Sequence, residues 1–337
     1  MRQPEMREES STACGYGLLG LCCSDCLLGP CRLTPFDEDP VKGLCGDDRD
    51  RMVARNLLRL AIREASQGIH HLKETVLKVS PQNPASAVIE ETKGLLSLFP
   101  QSAGTSISSL YPEKVFPSLR GIFGGSGFPP DSLINLLLDS VDLGERESSK
   151  VEEILTQSLR ISLAVLASDE LRMNMTGTGD GGGPNTKDAE ISEALESLPS
   201  APCPVIIHLS GDDLPSTSSL NQTADELGQK IDSTAAIISI KEARALPLVG
   251  RGMSRKWALP TTGSRALVLI SSRHVTSTLG ALALGYTVVS FPPLPIHGSV
   301  LVEKFFCDDF ERRFGNTYLP SWKDELISKI VQLLMQG

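Results

Sequence analysis

Residues 14–45 read CGYGLLGLCCSDCLLGPCRLTPFDEDPVKGLC, and this cysteine-rich stretch decides how the chain begins. It holds six closely spaced cysteines, namely Cys14, Cys22, Cys23, Cys26, Cys31 and Cys45. In a reducing compartment such a group is more typical of metal binding than of disulfides. The other two cysteines, Cys203 and Cys307, stand alone, and we expect them to be ordinary core or surface thiols.

The last four cysteines of the group follow the spacing C-x2-C-x4-C-x13-C, from Cys23 through Cys26 and Cys31 to Cys45. The C-x2-C pair places two thiolates on one tight turn, and four thiolates are the standard complement of one [4Fe–4S] cluster. Four cysteines also suit structural zinc, but zinc sites usually contain two C-x2-C knuckles and this segment has one. The spacing therefore favours an iron–sulfur cluster, with zinc as the alternative.

Cys14 and Cys22 need a separate interpretation. Side chains of neighbouring residues in an extended chain point in opposite directions, so Cys22 and Cys23 are poorly placed to hold the same cluster. Two cysteines make half a site, and the two-fold axis of a homodimer would supply the other half. We predict a [4Fe–4S] or [2Fe–2S] cluster shared between subunits. The alternative is that both are buried or free thiols.

These motifs resemble the N-terminus of the anaerobic nickel–iron carbon monoxide dehydrogenase family. The matching stretches are CGYG at 14–17, CCSDCLLGPCRLTP at 22–35, GLCG at 43–46 and VARNLLR at 53–59. The resemblance implies that Cys14 and Cys22 hold a cluster at the dimer interface. It implies that Cys23, Cys26, Cys31 and Cys45 hold a [4Fe–4S] cluster within each subunit.

Composition and charge exclude some other classes of protein. Hydrophobic residues make up 40% and charged residues 22%, as in globular proteins. No apolar run approaches the roughly 20 residues that cross a bilayer, and residues 1–11 are too polar for a signal peptide. We therefore expect a cytoplasmic protein without membrane insertion. The net charge of −9 argues against nucleic acid as a partner.

The region from residue 51 to about 175 has mostly helical periodicity. Apolar residues recur at helical spacing after Asp50, and further helices are predicted over 85–98, from about 130 to 138, and over 150–168. A glycine-rich loop is expected at 121–127. A second glycine-rich run, 176–184, lacks the Gly-Lys-Ser/Thr ending of a phosphate-binding loop, so we interpret it as a linker.

Beyond the linker, short apolar runs alternate with helical patterns. Strands are predicted at 204–209, 235–240, 266–270 and 286–291, and helices at 224–231 and 324–335. This alternation predicts a parallel sheet covered by helices. The predicted fold class is α/β: an iron–sulfur segment (1–50), a helical domain (51–175) and a Rossmann-like domain (185–337). No G-x-G-x-x-G motif follows the first strand, so dinucleotide binding is not supported.

The resemblance also bears on the nickel–iron catalytic cluster. The family has a second α/β domain that supplies several ligands of that cluster, and this sequence does not extend through it. In the first α/β domain, a family histidine matches His208, for which strand-end capping is the alternative. The positions that match family cysteines carry Lys241 and Arg273 or their neighbours. Cations in place of soft thiolates predict that the catalytic cluster does not form.

These observations lead to one preferred function and two alternatives. The preferred function is an electron-transfer subunit of a larger anaerobic redox complex, a homodimer that passes electrons to a ferredoxin or a catalytic subunit. The first alternative is an oxidoreductase whose active site lies near His208, Lys241 and Arg273. These residues are expected to lie together with Asp212 and His274 at the carboxyl ends of the strands, where they would favour binding of an anion. The second is an assembly scaffold whose clusters are structural. Whether the chain is itself an enzyme is left open.

Overall fold

The computed structural model describes most of the chain. The described residues are 14–36, 40–80, 87–97, 118–123, 132–177, 186–200, 203, 205–210, 226, 229, 236–240, 243–257, 266–271, 274–321 and 326–336. None of the helices in these ranges is long and apolar enough to cross a membrane.

A small cysteine-containing hairpin precedes a helical region. The hairpin segment contains α1 (Gly15–Leu18), β1 (Cys22–Cys23) and β2 (Cys31–Arg32). The helical region contains α2 (Arg49–Val79), α3 (Ala87–Leu95), α4 (Ser118–Phe123), α5 (Leu133–Glu145), α6 (Val151–Gly177) and α7 (Thr186–Ser197). The predicted helices at 85–98, 130–138 and 150–168 correspond to α3, α5 and α6.

A four-stranded parallel sheet forms the rest of the protein. Its elements are β3 (Val205–Ser210), β4 (Ala236–Ile240), α8 (Leu246–Trp257), β5 (Ala266–Ser271), α9 (Val275–Ala283), β6 (Thr287–Phe291), α10 (Val300–Lys304), α11 (Phe310–Phe314) and α12 (Leu326–Gln336). The strand order is β4-β3-β5-β6. The predicted α/β fold class is confirmed, and each predicted strand lies within one residue of an observed one. The helix predicted at 224–231 lies almost wholly outside the described residues.

Helix α2 is the central element of the helical region. It begins at Asp48, whose side chain accepts a hydrogen bond from the backbone N–H of Arg51, and runs for 31 residues. Its buried side chains repeat every three or four positions, which gives one apolar face. This face packs along α6, and α9 from the sheet region packs against both. The helices and one face of the sheet thus share a continuous hydrophobic core.

The opposite face of the sheet is covered by the C-terminal helix. Ile206, Leu267 and Leu269 on the strands form a second apolar cluster with Leu326 and Ile330 of α12. Side chains two positions apart in a strand share a face, so His208 lies on the same face as Ile206. The sheet is therefore sandwiched, as parallel sheets usually are.

The prediction of a glycine-rich loop at 121–127 was wrong for its first three residues, which belong to α4. Helix α4 is held in place by Ser118, whose hydroxyl donates to the carbonyl of Ala283 at 2.6 Å. A Cβ atom at position 121 would lie 2.5 Å from Cε1 of Phe314, so glycine permits close packing here rather than a loop. The linker predicted at 176–184 was wrong for its first two residues, which belong to α6. Residues 124–127 and 178–184 lie outside the described residues.

Candidate iron–sulfur centre

The hairpin formed by β1 and β2 divides the cysteines between two faces. The strands are antiparallel, with Cys23 opposite Cys31 and Cys22 opposite Arg32. Residues that lie opposite each other in an antiparallel pair project to the same face, about 5 Å apart at Cβ. Cys23 and Cys31 therefore share one face, and Cys22 and Arg32 share the other. The extended conformation expected for Cys22 and Cys23 is confirmed.

Cys26 and Cys45 flank the hairpin. Cys26 lies in the turn that joins the strands, where its carbonyl accepts a hydrogen bond from the N–H of Gly29 at 3.1 Å. Cys45 lies in a turn closed by the N–H of Gly46 and the carbonyl of Gly43, at 2.9 Å. Burial is the main cause that raises the pKa of Cys23, and a thiolate at Cys45 adds to it in the same direction.

Two side chains of α2 attach the hairpin to the helical region. The amide of Asn56 donates to the carbonyls of Gly20 at 2.8 Å and Cys22 at 2.9 Å. One helical turn later, Nη1 of Arg59 lies 3.7 Å from Sγ of Cys23. These contacts fix the Cys23 face of the hairpin against the helix.

Arg59 places a fixed positive charge beside the Cys23 thiol. Its guanidinium pairs with Asp25 and, at 3.2 Å, with Glu145. Burial alone would lower the pKa of Arg59, but these carboxylates and Cys23 outweigh that effect and raise it. Burial raises the pKa of the Cys23 thiol, while the N–H of Asp25 and the charge of Arg59 act in the opposite direction. The cation thus offsets part of the effect of burial, and the pKa of Cys23 stays raised.

The segment after Cys45 is anchored by a buried ion pair. Asp47 and Arg55 are both nearly inaccessible to solvent, and their side chains meet at 2.5 Å. The guanidinium of Arg55 also donates to the carbonyl of Arg146 at 3.1 Å. This pair connects the cysteine segment to α2 and to the end of α5.

Arg32 lies on the side of the hairpin opposite Cys23 and acts electrostatically on Cys14. The N–H of Gly17 lowers the pKa of the exposed Cys14 thiol, and the charge of Arg32 contributes in the same direction. The guanidinium of Arg32 lies 5.9 Å from the centre of the Tyr16 ring. Arg32 is also the strand partner of Cys22. The same arginine is therefore paired with Cys22 and acts electrostatically on Cys14.

In chemistry, the six thiols are the kind of donor that iron–sulfur clusters use. The six thiols are not joined by disulfides. Cys23 and Cys31 share a face of the hairpin, and Cys45 interacts electrostatically with Cys23. Among the described residues, no group of three or more His, Cys, Asp or Glu side chains could hold a single metal ion.

Of the three residues predicted to converge, His208, Lys241 and Arg273, the structure describes His208. His208 does not end its strand: β3 continues to Ser210, and His208 is paired with Ser239 and Leu269. It is half-buried, and burial lowers its pKa. Lys241, Arg273 and Asp212 lie outside the described residues.

Sequence reasoning missed Glu64, which occupies the start of α9. Its carboxylate accepts hydrogen bonds from the N–H groups of Val275 at 3.0 Å and Thr276 at 2.8 Å, and from the Thr276 hydroxyl at 2.7 Å. Nδ1 of His274 lies 3.9 Å from the same carboxylate. The first N–H groups of a helix are the usual binding point for an anion at the carboxyl edge of a parallel sheet. Here the protein's own carboxylate takes that position.

The two isolated cysteines are core residues. Cys203 and Cys307 are 7% and 5% exposed and belong to the main hydrophobic core. Cys203 precedes β3, whereas Cys307 lies in a π-helical turn between α10 and α11. Of the two expectations for these thiols, burial in the core is the one observed.

The N-terminal part of the chain is similar to known proteins. Residues 21–103 match the sequence model of the Prismane/CO dehydrogenase family. Over this segment the chain is similar to that family. It is 40% identical over 94 residues to carbon monoxide dehydrogenase 1 of Methanosarcina acetivorans, a match that covers 27% of this chain. It is 55% identical over 53 residues, or 16% of this chain, to the carbon monoxide dehydrogenase of Rhodospirillum rubrum.

The matches span small parts of those relatives, 15% of the first and 8% of the second. Among solved structures, a nickel-free carbon monoxide dehydrogenase from Thermococcus sp. AM4 aligns with 98% of this chain and 56% of its own. That alignment has a TM-score of 0.45 and 15% identity.

Proposed function

We propose that this chain is an iron–sulfur electron-transfer protein related to carbon monoxide dehydrogenases. Cys23, Cys26, Cys31 and Cys45 would hold a [4Fe–4S] cluster within the subunit. Cys14 and Cys22 would hold half of a [4Fe–4S] or [2Fe–2S] cluster shared across a homodimer. The observation that carries the proposal is the hairpin, which places Cys23 and Cys31 on one face and Cys22 on the other.

The surroundings of Cys23 suit a redox cluster. When bound, such a cluster supplies one-electron oxidation and reduction, and its potential depends on hydrogen bonds and charges at the ligand sulfurs. Arg59 lies within reach of one such sulfur and is held there by two carboxylates. Cys26 and Cys45 are exposed, so this cysteine set lies near the surface, where a partner protein could approach.

The carboxyl edge of the sheet favours loss of the nickel–iron cluster. No cysteine lies among the three residues that follow any of the strands β3 to β6. Lys241 and Arg273 follow β4 and β5 instead, and soft thiolates are the ligands that such clusters need. The carboxylate of Glu64 already occupies the start of α9. These features support a relay that serves chemistry on a partner rather than carbon monoxide oxidation by this chain.

A homodimer is supported by the exposed apolar surface beside the half-site. Tyr16 and Leu18, in α1 next to Cys14, are 39% and 48% exposed. An isologous contact through this face would bring two copies of Cys14 and Cys22 together. The electron partner would be a ferredoxin or a catalytic subunit, in the cytoplasm.

Anaerobic reconstitution with iron, sulfide and nickel tests the proposal. We expect about five or six iron ions per chain, because one [4Fe–4S] cluster lies in each subunit and a [2Fe–2S] or [4Fe–4S] cluster is shared by two. Paramagnetic resonance spectra during a reductive titration should show reversible one-electron reduction, and carbon monoxide oxidation should be absent. Clusters that never change oxidation state would support the scaffold alternative. Nickel-dependent carbon monoxide oxidation by the pure chain would overturn the proposal.

A further inference from the structure

A cleft lies between the segment around Cys31–Cys45 and the start of α10. Its volume is about 690 Å³, and its walls come from residues 35, 41–42, 48–50, 297–301 and 304. Pockets that bind small molecules usually have volumes of about 300–1,000 Å³. None of the six clustered cysteines and neither Glu64 nor His208 lines the cleft.

The walls of the cleft are fixed to one another by hydrogen bonds. The N–H of Gly298 donates to the carbonyl of Leu19 at 2.9 Å. The side chain of Leu21 fills the space that a Cβ atom on Gly298 would need. The hydroxyl of Ser299 donates to Asp50 at 2.5 Å, and Nη1 of Arg49 donates to the carbonyl of Pro35 at 2.8 Å. The cleft is therefore largely preformed.

Three cations line the cleft, namely Lys42, Arg49 and Lys304. The two lysines are exposed, and neither forms an ion pair with another residue in the described ranges. Within the described ranges, no carboxylate of the protein therefore competes with a bound anion for these two lysines.

Two carboxylates, Asp48 and Asp50, also line the cleft, and both already accept hydrogen bonds. Asp48 accepts from the N–H of Arg51 at 2.9 Å, which caps α2, and Asp50 accepts from Ser299. His297 is held by Glu303, with Nδ1 and Oε2 3.2 Å apart. The positive end of the long helix α2 points to the same region. Among the described lining residues, three cations stand against two carboxylates, which is a formal excess of one positive charge.

The mouth of the cleft is apolar. Val41, Val300 and Leu301 line it and are 47%, 84% and 47% exposed. Exposed aliphatic side chains beside cations suit a molecule with an apolar body and an anionic group. We propose that this cleft binds a small organic anion, with its phosphate or carboxylate on Lys42, Arg49 and Lys304 and its apolar part on Val41, Val300 and Leu301.

Titration calorimetry on the full anaerobic chain tests this site with four probes. Phenyl phosphate and benzoate carry an anionic group on an apolar ring, inorganic phosphate lacks the ring, and benzyl alcohol lacks the charge. We expect the first two to bind more tightly than the last two. Tighter binding of phenyl phosphate would indicate a phosphate site, and tighter binding of benzoate would indicate a carboxylate site. Added salt should weaken binding.

Paired variants give effects of opposite sign. Lys304→Ala should weaken binding of phenyl phosphate by about two- to fivefold, as expected for one partly exposed charge, and Lys42→Ala with Lys304→Ala by more. Asp50→Asn keeps an oxygen that can accept from Ser299 but removes a negative charge, so binding should become tighter. Lys78→Ala is the matched control, because Lys78 is an exposed lysine at the far end of α2.

The site requires both signs of effect. Weaker binding in the lysine variants, tighter binding in Asp50→Asn and no change in Lys78→Ala would support it. Absence of binding to wild-type protein at millimolar probe, or equal binding in wild type and the double lysine variant, would overturn it. Iron content is measured in the same samples. Binding without iron would leave the cleft supported while the electron-transfer proposal fails.

Discussion

Helix α2 supports two regions that have opposite chemistry. Near its start, Asn56 and Arg59 hold the cysteine hairpin, and the positive charge of Arg59 lies beside a thiol. Five residues after Arg59, Glu64 places a negative charge against the N–H groups that begin α9. The first region offers soft donors and a cation to a cluster, whereas the second has filled its anion position with the protein's own side chain. The same helix thus supports one candidate site and closes another.

The largest expected effect concerns the attachment of the cysteine segment. Arg55→Ala would remove the buried partner of Asp47 and leave only the longer contact with Arg51, at 3.8 Å, and breaking a buried pair typically costs about 3–5 kcal/mol. We expect the free energy of unfolding in urea to fall by that amount. Arg146→Ala removes an exposed ion pair with Asp142 and should cost less than about 0.5 kcal/mol. Equal losses in the two variants would contradict the assignment of Asp47–Arg55 as the anchor.

The next effect concerns the start of α9. Glu64→Ala leaves N–H groups of Val275 and Thr276 without their acceptor, which should lower the free energy of unfolding by about 1–3 kcal/mol. It also empties the anion position, so sulfate should stabilise Glu64→Ala more than wild type at the same ionic strength. Glu74→Ala, on the same helix, is the control. If sulfate stabilises all three proteins equally, Glu64 does not fill an anion position.

A smaller effect concerns the charge beside Cys23. Arg59→Gln removes a cation that favours the reduced, more negative cluster, so the midpoint potential should become about 30–60 mV more negative, which for a one-electron couple is up to tenfold in the equilibrium constant. Arg63→Gln, one helical turn farther along α2 and exposed, should leave the potential unchanged. A potential-monitored titration of both variants checks this. A shift of the same size in both would mean that only net charge matters.

The smallest effect concerns His208. Because burial lowers its pKa in the folded state, the unfolded state takes up the proton first as pH falls. Stability should therefore decline as pH falls below about 6.5, the ordinary histidine value, by less than about 1 kcal/mol for a half-buried group. His208→Gln should flatten the pH dependence of unfolding in this range. An unchanged pH profile would show that His208 is not the group responsible.

Local sequence patterns were enough to predict the strands and the division of the cysteines. Buried parallel strands are short apolar runs, and the adjacent pair Cys22–Cys23 requires opposite directions in any extended segment. The helical conformation at Gly121 could not be predicted, because it depends on contact with Phe314, which is distant in sequence. The same limit applies to Glu64, whose partners lie 211 and 212 positions away. Nor does spacing alone reveal that Arg59 contacts Cys23.

The central claim is that the hairpin separates two cluster sites, and iron analysis of two single variants tests it most directly. Cys23→Ser should remove the internal cluster, about four iron ions per chain, whereas Cys22→Ser should remove only the shared one, about one or two iron ions per chain. In addition, Cys22→Ser should retain the spectrum of the internal cluster. Equal losses of iron in the two variants, or wild-type protein that binds zinc and no iron, would contradict the account.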